Sequence, residues 1–249
     1  MYIRQLFNHE LLTMIRYCVA LLLAGLLSPV CSANLVISEV VDAPLPGGLP
    51  KFVEITNTGG STVDLSGFSL GNVSNASTTM GFDALVLSGM LAPGDSHVVS
   101  YESGDTPGVS TFFDTYGFDA DDLTPGSFIN GDDRLVLFSG AALAGDDGTG
   151  GNIVDIYGVF GVDGTGEVWE YTDGYAFRNP DVTEGNDGAF DPSEWTFSGA
   201  NGLETGDDTE ELALILAETT PGTHAIIPEP TTVALALLSL AAVAGRKRS

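Results

Sequence analysis

Cysteine is nearly absent from this chain. There are two, Cys18 and Cys31, both near the N-terminus. If that end is removed on export, no thiol remains for a disulfide, a thiolate metal site or a cysteine nucleophile. Histidine is almost as scarce, with only His97 and His224 after His9. Nothing in the sequence pairs them, so neither a His-rich metal site nor a Ser-His-Asp triad is expected. Positive charge is also short: eight Lys and Arg face 34 Asp and Glu, for a formal net charge of −26. Between Asn34 and Pro230 only Lys51, Arg134 and Arg178 are basic, while every acid except Glu10 lies there. Such a surface repels phosphate backbones, which excludes nucleic acid as a partner. No Gly-rich phosphate loop, His-Glu-x-x-His or zinc spacing occurs. Paired carboxylates abound, as at Asp132-Asp133 and Asp207-Asp208. With so many acids, no one pair singles out a glycosidase site.

The two ends differ from the acidic middle. Arg4 and Arg16 accompany an apolar run from Tyr17 to Leu27, which Ser28 and Pro29 break. The following "CSA" puts small residues where a signal peptidase would cut after Ala33, so a signal peptide over 1–33 is expected. A lipid-modified Cys31 fits less well, because "SPV" lacks a small residue just before the cysteine. The C-terminus has three parts in order: Pro228-Glu229-Pro230, an apolar run of 15 residues from Thr231 to Gly245, and Arg246-Lys247-Arg248. At ~1.5 Å per helical residue that run spans ~22 Å, short of a ~30 Å hydrocarbon core. The basic cluster would stay cytoplasmic, leaving everything before the run outside. The prolines keep the tripeptide out of a helix.

This ending resembles the PEP-CTERM sorting signal of Gram-negative bacteria. The resemblance implies that an exosortase recognises Pro228, Glu229 and Pro230. It implies that Arg246, Lys247 and Arg248 anchor the tail of an inner-membrane precursor. Removal of the tail would then deliver the protein to the cell surface or extracellular matrix. An ordinary tail anchor is the alternative.

Between the ends the pattern is β. Short runs rich in Val, Ile, Phe and Thr alternate with Gly, Asn, Asp and Pro clusters. Strands are expected at 34–43, 51–57, 68–73, 84–89, 96–101, 134–140, 152–158 and 167–172. "TDG" at 172–174 should join the last of these to "YAFR" in a hairpin. The stretch 208–220 is ambiguous, since Asp208 would cap a short helix with Glu211 at its third position. Strands at this spacing predict a β-sandwich. The segment "LVISEVV…KFVEITNTGGSTVDLSGFSL" is similar to the start of a lamin tail domain. The likeness lies at Ile37 to Val40, Phe52 to Asn57, Gly59-Gly60 and Asp64 to Leu70. "LAPGDSHVV" (91–99) and "TTPGTH" (219–224) are similar to later family elements. The resemblance implies an all-β, immunoglobulin-like sandwich over 34–224, with insertions between about Glu102 and Leu203. Residues 225–227 would link it to the sorting signal at 228–249. Such domains carry no fixed activity.

Two further groups of residues suggest binding. The loops "FDADD" (118–122) and "GDDGTGGNIVD" (145–155) gather hard oxygens, so Asp119, Asp121, Asp122, Asp146, Asp147 and Asp155 are calcium candidates. Neither loop fits the EF-hand template, and a solvated acidic surface is the alternative. Trp169, Tyr171, Tyr175 and Trp195 read as core aromatics, with a sugar-stacking platform as the alternative. The expectation is an exported, non-enzymatic surface or matrix protein with a structural or adhesive role. Its partners would be signal peptidase, an exosortase, the inner membrane in passing, and extracellular polysaccharide. A secreted hydrolase acting on polysaccharide or phosphoesters is the rival reading. A membrane-retained, calcium-dependent binding module is a third.

Overall fold

A computed structural model of the chain describes residues 34–102, 111–124, 129–146 and 152–225. The expected signal peptide with Ala33, the sorting signal at 228–249 and Asp147 lie outside the described residues. Within them, no helix is long and apolar enough to cross a membrane.

The strands are β1 (Leu35–Leu45), β2 (Leu49–Asn57), β3 (Val63–Asp64), β4 (Phe68–Val73), β5 (Leu85–Val86), β6 (Met90–Leu91), β7 (Ser96–Ser100), β8 (Asp122–Leu123), β9 (Arg134–Ser139), β10 (Ile153–Tyr157), β11 (Gly174–Arg178) and β12 (Trp195–Phe197). Two helices join them, α1 (Thr111–Tyr116) and α2 (Asp208–Glu218). A six-stranded sheet runs β12-β11-β1-β2-β7-β8, and a four-stranded sheet runs β10-β9-β4-β5. β3 and β6 form a small third ladder. Neighbours are antiparallel except for β7 and β8.

Alternation along the strands builds the layers. Leu35, Ile37, Val53, Ile55 and Val99 meet Leu70, Leu135, Leu137 and Tyr157 between the two sheets. A bulge between Ile37 and Glu39 resets the alternation. Val40 therefore also faces this core, while Glu39 turns outward. On the outer face of the larger sheet, Val41, Phe52 and Val98 pack against Phe112 of α1 and Ile215 of α2. The helices thus make an extra layer. α1 was not expected; the Glu102 carboxylate accepts the Thr111 and Phe112 N–H groups at its start, at 2.9 and 2.7 Å. α2 forms in the ambiguous stretch, capped by Asp207 rather than Asp208. The Asp207 carboxylate accepts from the Thr209 and Glu210 N–H groups. The outer face of the smaller sheet is covered by loops carrying Met80, Ala84 and Ala142.

One expected strand is absent. Residues 167–172 form successive turns, closed by bonds from the Glu167 N–H to the Gly164 carbonyl and from the Glu170 N–H to the Glu167 carbonyl. The ladder positions beside β11 are filled by β1 and β12. The hairpin from 167–172 into "YAFR" is therefore replaced by β11 paired with β12, a strand the sequence reading missed. The turns still drive Trp169 and Tyr171 into the core, where they meet Tyr157 edge-on at 6.1 and 5.3 Å. Tyr157 donates to the Trp169 carbonyl at 2.6 Å. Trp195 joins them at 4.7 Å. Three of the four aromatics weighed as a sugar platform are thus core residues. Tyr175 is half-buried, bonded to Glu218 of α2 at 2.9 Å.

β10 is an outer strand of the four-stranded sheet. Its edge is met by the Asn186 side chain, which accepts from the Ile156 N–H at 3.1 Å and donates to the Ile156 carbonyl at 2.9 Å.

Candidate functional site: a cleft beside the edge of the larger sheet

β7 begins with Ser96 and His97, and β8 lies at its side with Asp122. The imidazole of His97 is almost fully buried, and its Nε2 lies 2.8 Å from Asp122 Oδ2. Asp122 also accepts the Ser88 N–H at 2.9 Å and the Ser88 hydroxyl at 2.8 Å. Burial pushes the Asp122 carboxyl up, but the bonds from His97 and Ser88 outweigh it and hold it below its ordinary value. An ionised Asp122 at Nε2 fixes the ring orientation and favours a proton on that nitrogen. Asp121 Oδ2 stands 3.9 Å from Nδ1 and accepts the Val98 N–H at 2.8 Å.

These groups border a cleft of about 620 Å³, with Asp95 and Asp121 on one side and Gly222 to His224 on another. His97 and Asp121 both line it, and Asp122 does not. The wall 222–224 belongs to a strap that follows α2 across the outer face of the larger sheet. Two buried carboxylates hold it. Glu39 accepts the Thr220 N–H at 3.1 and 3.2 Å, and Glu54 accepts the Gly222 N–H at 2.7 Å. Ser38 donates to Glu54 at 2.6 Å. Burial, and then the charge of Glu54, push the Glu39 carboxyl well above its usual range. Burial also raises Glu54. His224 Nε2 is buried without a hydrogen-bond partner among the described residues. Burial, then the charge of Arg178, lowers the affinity of that ring for a proton.

Of the calcium candidates, Asp119, Asp121, Asp122, Asp146 and Asp155 lie among the described residues. Among the described residues no group of three or more His, Cys, Asp or Glu is arranged to hold a metal ion. Asp119 and Asp121 sit on the β8 approach, and Asp122 is committed to His97 and Ser88. Asp146 caps its own turn by accepting the Leu143 N–H at 2.7 Å. Asp155 is not in a loop at all. It is fully buried in β10 and takes the Arg178 guanidinium on both oxygens, at 2.8 and 2.7 Å. Burial pushes its carboxyl up to about 6, against the pull of Arg178 and the Ile37 and Asn186 N–H groups. Arg178 further donates to Glu194 at 2.9 Å and the Ile37 carbonyl at 3.0 Å, and lies 4.7 Å from the Trp195 ring centre. This network pins the two sheets together, and sequence reading did not find it. Its only signal was a lone Arg among apolar strand residues.

Chemically the cleft offers acceptors. The Ser88 hydroxyl donates to the carboxylate rather than to the imidazole, so Ser88 and His97 do not form a nucleophile–base pair in this arrangement. The residues lining the cleft include no Lys or Arg.

The architecture and its cleft define an immunoglobulin-like sandwich module with helices added on one face. The chain belongs to the lamin tail domain family, whose profile matches residues 31–160. That match runs through β10, so β11, β12, α2 and the strap lie beyond it. No curated protein matches the chain. A solved structure of a DUF4876 family protein from Bacteroides thetaiotaomicron is similar at 11% identity and a TM-score of 0.38, over 68% of this chain and 69% of that one.

Proposed function

We propose that this chain is an exported, non-enzymatic binding module that an exosortase processes for the surface or extracellular matrix of a Gram-negative cell. One observation carries the reading. Pro228-Glu229-Pro230, an apolar run and a basic cluster follow in order, a few residues after the strap that closes the domain. The acceptor-lined cleft supports binding, and the lack of cysteine after Cys31 suits a fold that depends on its core alone. Glu229 is the one acidic residue next to the apolar run, and prolines on both sides disfavour a helix through it. Glu229→Gln removes the charge and keeps the shape. In the native host the variant should accumulate as an uncut inner-membrane precursor, while the wild type should lose Thr231 to Ser249. The C-terminal mass of each form decides this. A wild-type protein that keeps its chain through Ser249 reduces the signal to a plain anchor.

The Asp122–His97 pair is the observation that favours the rival reading, a secreted hydrolase. Turnover of polysaccharide or phosphoester that is lost in His97→Gln would establish that reading instead.

A further inference from the structure

We propose that the cleft binds an ammonium-bearing sugar, a hexosamine unit whose amine is not acetylated. The argument begins at His97. Its side chain is 6% exposed, and Nε2 is committed to Asp122. Nδ1 makes no hydrogen bond among the described residues, and the Asp121 carboxylate is 3.9 Å away. In the neutral tautomer that donates from Nε2 to Asp122, Nδ1 and the Asp121 carboxylate are both acceptors, and neither satisfies the other. A donor nitrogen about 2.8–3.0 Å from each fits between two atoms at that separation. An ammonium carries three donors and no acceptor, which matches a wall of this kind. Asp95, exposed on the same cleft with no hydrogen bond to its carboxylate among the described residues, supplies a third acceptor.

The rest of the wall favours a sugar over a lysine side chain. A lysine stem packs best against apolar surface. Here the lining is largely Ser88, Ser96, Thr223 and glycine, which suit hydroxyl groups. Met90, 67% exposed, gives the face of a ring one apolar contact. The domain's acidity draws cationic polymers toward it and adds nothing for neutral ones. The proposal takes from the function above only the setting of an extracellular polysaccharide. Processing of the tail is read by C-terminal mass, so failure of either idea is visible without the other.

The test uses protein purified from its host, titrated by calorimetry with a glucosamine oligomer, an N-acetylglucosamine oligomer, and acetyl-lysine amide. The glucosamine oligomer should bind, with the acetylated oligomer weaker by about tenfold or more. Asp121→Asn keeps an acceptor for the Val98 N–H but loses the charge, and should weaken glucosamine binding about tenfold. Asp95→Asn, at an exposed position held in the fold by its backbone and not by its carboxylate, should weaken it in the same direction. Glu210→Gln, on α2 outside the cleft, should leave it unchanged. Equal binding of the two oligomers overturns the proposal, because the charge is then not read. Tighter binding of the lysine amide assigns the site to peptide instead. No binding, or no loss in both Asp variants, also overturns it.

Discussion

Gly131 sits at a φ of +84°, and a Cβ placed there would lie 2.2 Å from the Thr172 Cα. Its carbonyl accepts the Tyr171 N–H at 2.7 Å, and this hook turns 167–172 away from a ladder and sets Tyr171 into the core. Gly140 has a similar φ of +91°, but a Cβ there would meet nothing within 4 Å. The pair separates two effects. Gly140→Ala should cost only the left-handed backbone, about 1–2 kcal/mol. Gly131→Ala adds overlap with backbone atoms that cannot swing aside, and should cost a further 1–3 kcal/mol or so. Denaturant midpoints of both variants check this, and equal losses would mean that the loop simply shifts. At this scale the site was only half legible. Asp121 and Asp122 were singled out for their oxygens and His97 for its rarity. No local pattern tells that Asp122 reaches a histidine 25 positions earlier. That contact exists only because β8 lies beside β7.

The strap is the element whose behaviour depends most on charge. Thr220 and Gly222 hang by their N–H groups from Glu39 and Glu54, and burial raises the proton affinity of both carboxyls. The groups around Glu39 are Glu54 itself, Tyr116 from α1, and Tyr175 with Glu218 at the end of α2. None is cationic. Undocking hydrates the two acids and returns their pKa values toward normal. The strap's stability is therefore complete below the ordinary carboxylate range and is lost as pH rises through the raised values. Hydrogen exchange at Thr220 and Gly222, corrected for intrinsic rate, should show protection falling about tenfold or more between pH 5 and 8. Glu39→Gln should remove most of that fall; an unchanged fall would clear the acid pair of responsibility. Among the elements, the long apolar strands were readable. β1, β2, β4, β7, β9 and β10 start and end within two residues of their expected bounds. The failures have physical causes. "EVWEYT" alternates as a strand should, yet its neighbours' places were already filled. β12 is only Trp195–Phe197, too short to show a period. α1 depends on a carboxylate from Glu102, nine positions before Thr111.

Over the whole molecule, buried acids outweigh exposed ones in setting the response to pH. Asp42, paired with Lys51 across β1 and β2, is pushed by burial to about 6, as is Asp155. Both bind protons more readily folded than unfolded. Their contribution is full below the ordinary Asp value of about 3.9 and is lost as pH rises through about 6. At ~1.4 kcal/mol per unit, the two together account for up to about 6 kcal/mol. Asp122 acts oppositely: its stabilisation is present above the ordinary Asp value and is lost as pH falls through the depressed one. Thermal unfolding should therefore show a maximum near pH 5 and a clear decline by pH 8. Added sodium chloride should restore only the part due to surface repulsion, because buried groups are little screened. A flat profile between pH 5 and 8 would show that these carboxyls titrate normally. The Asn186 amide bears on another property of the whole. An outer strand with open amides is a template on which a second copy can grow a shared sheet. At the Ile156 position of β10 the template is already written over by a side chain belonging to the same molecule. Where many copies crowd together, that position offers a neighbouring strand neither an amide nor a carbonyl to pair with.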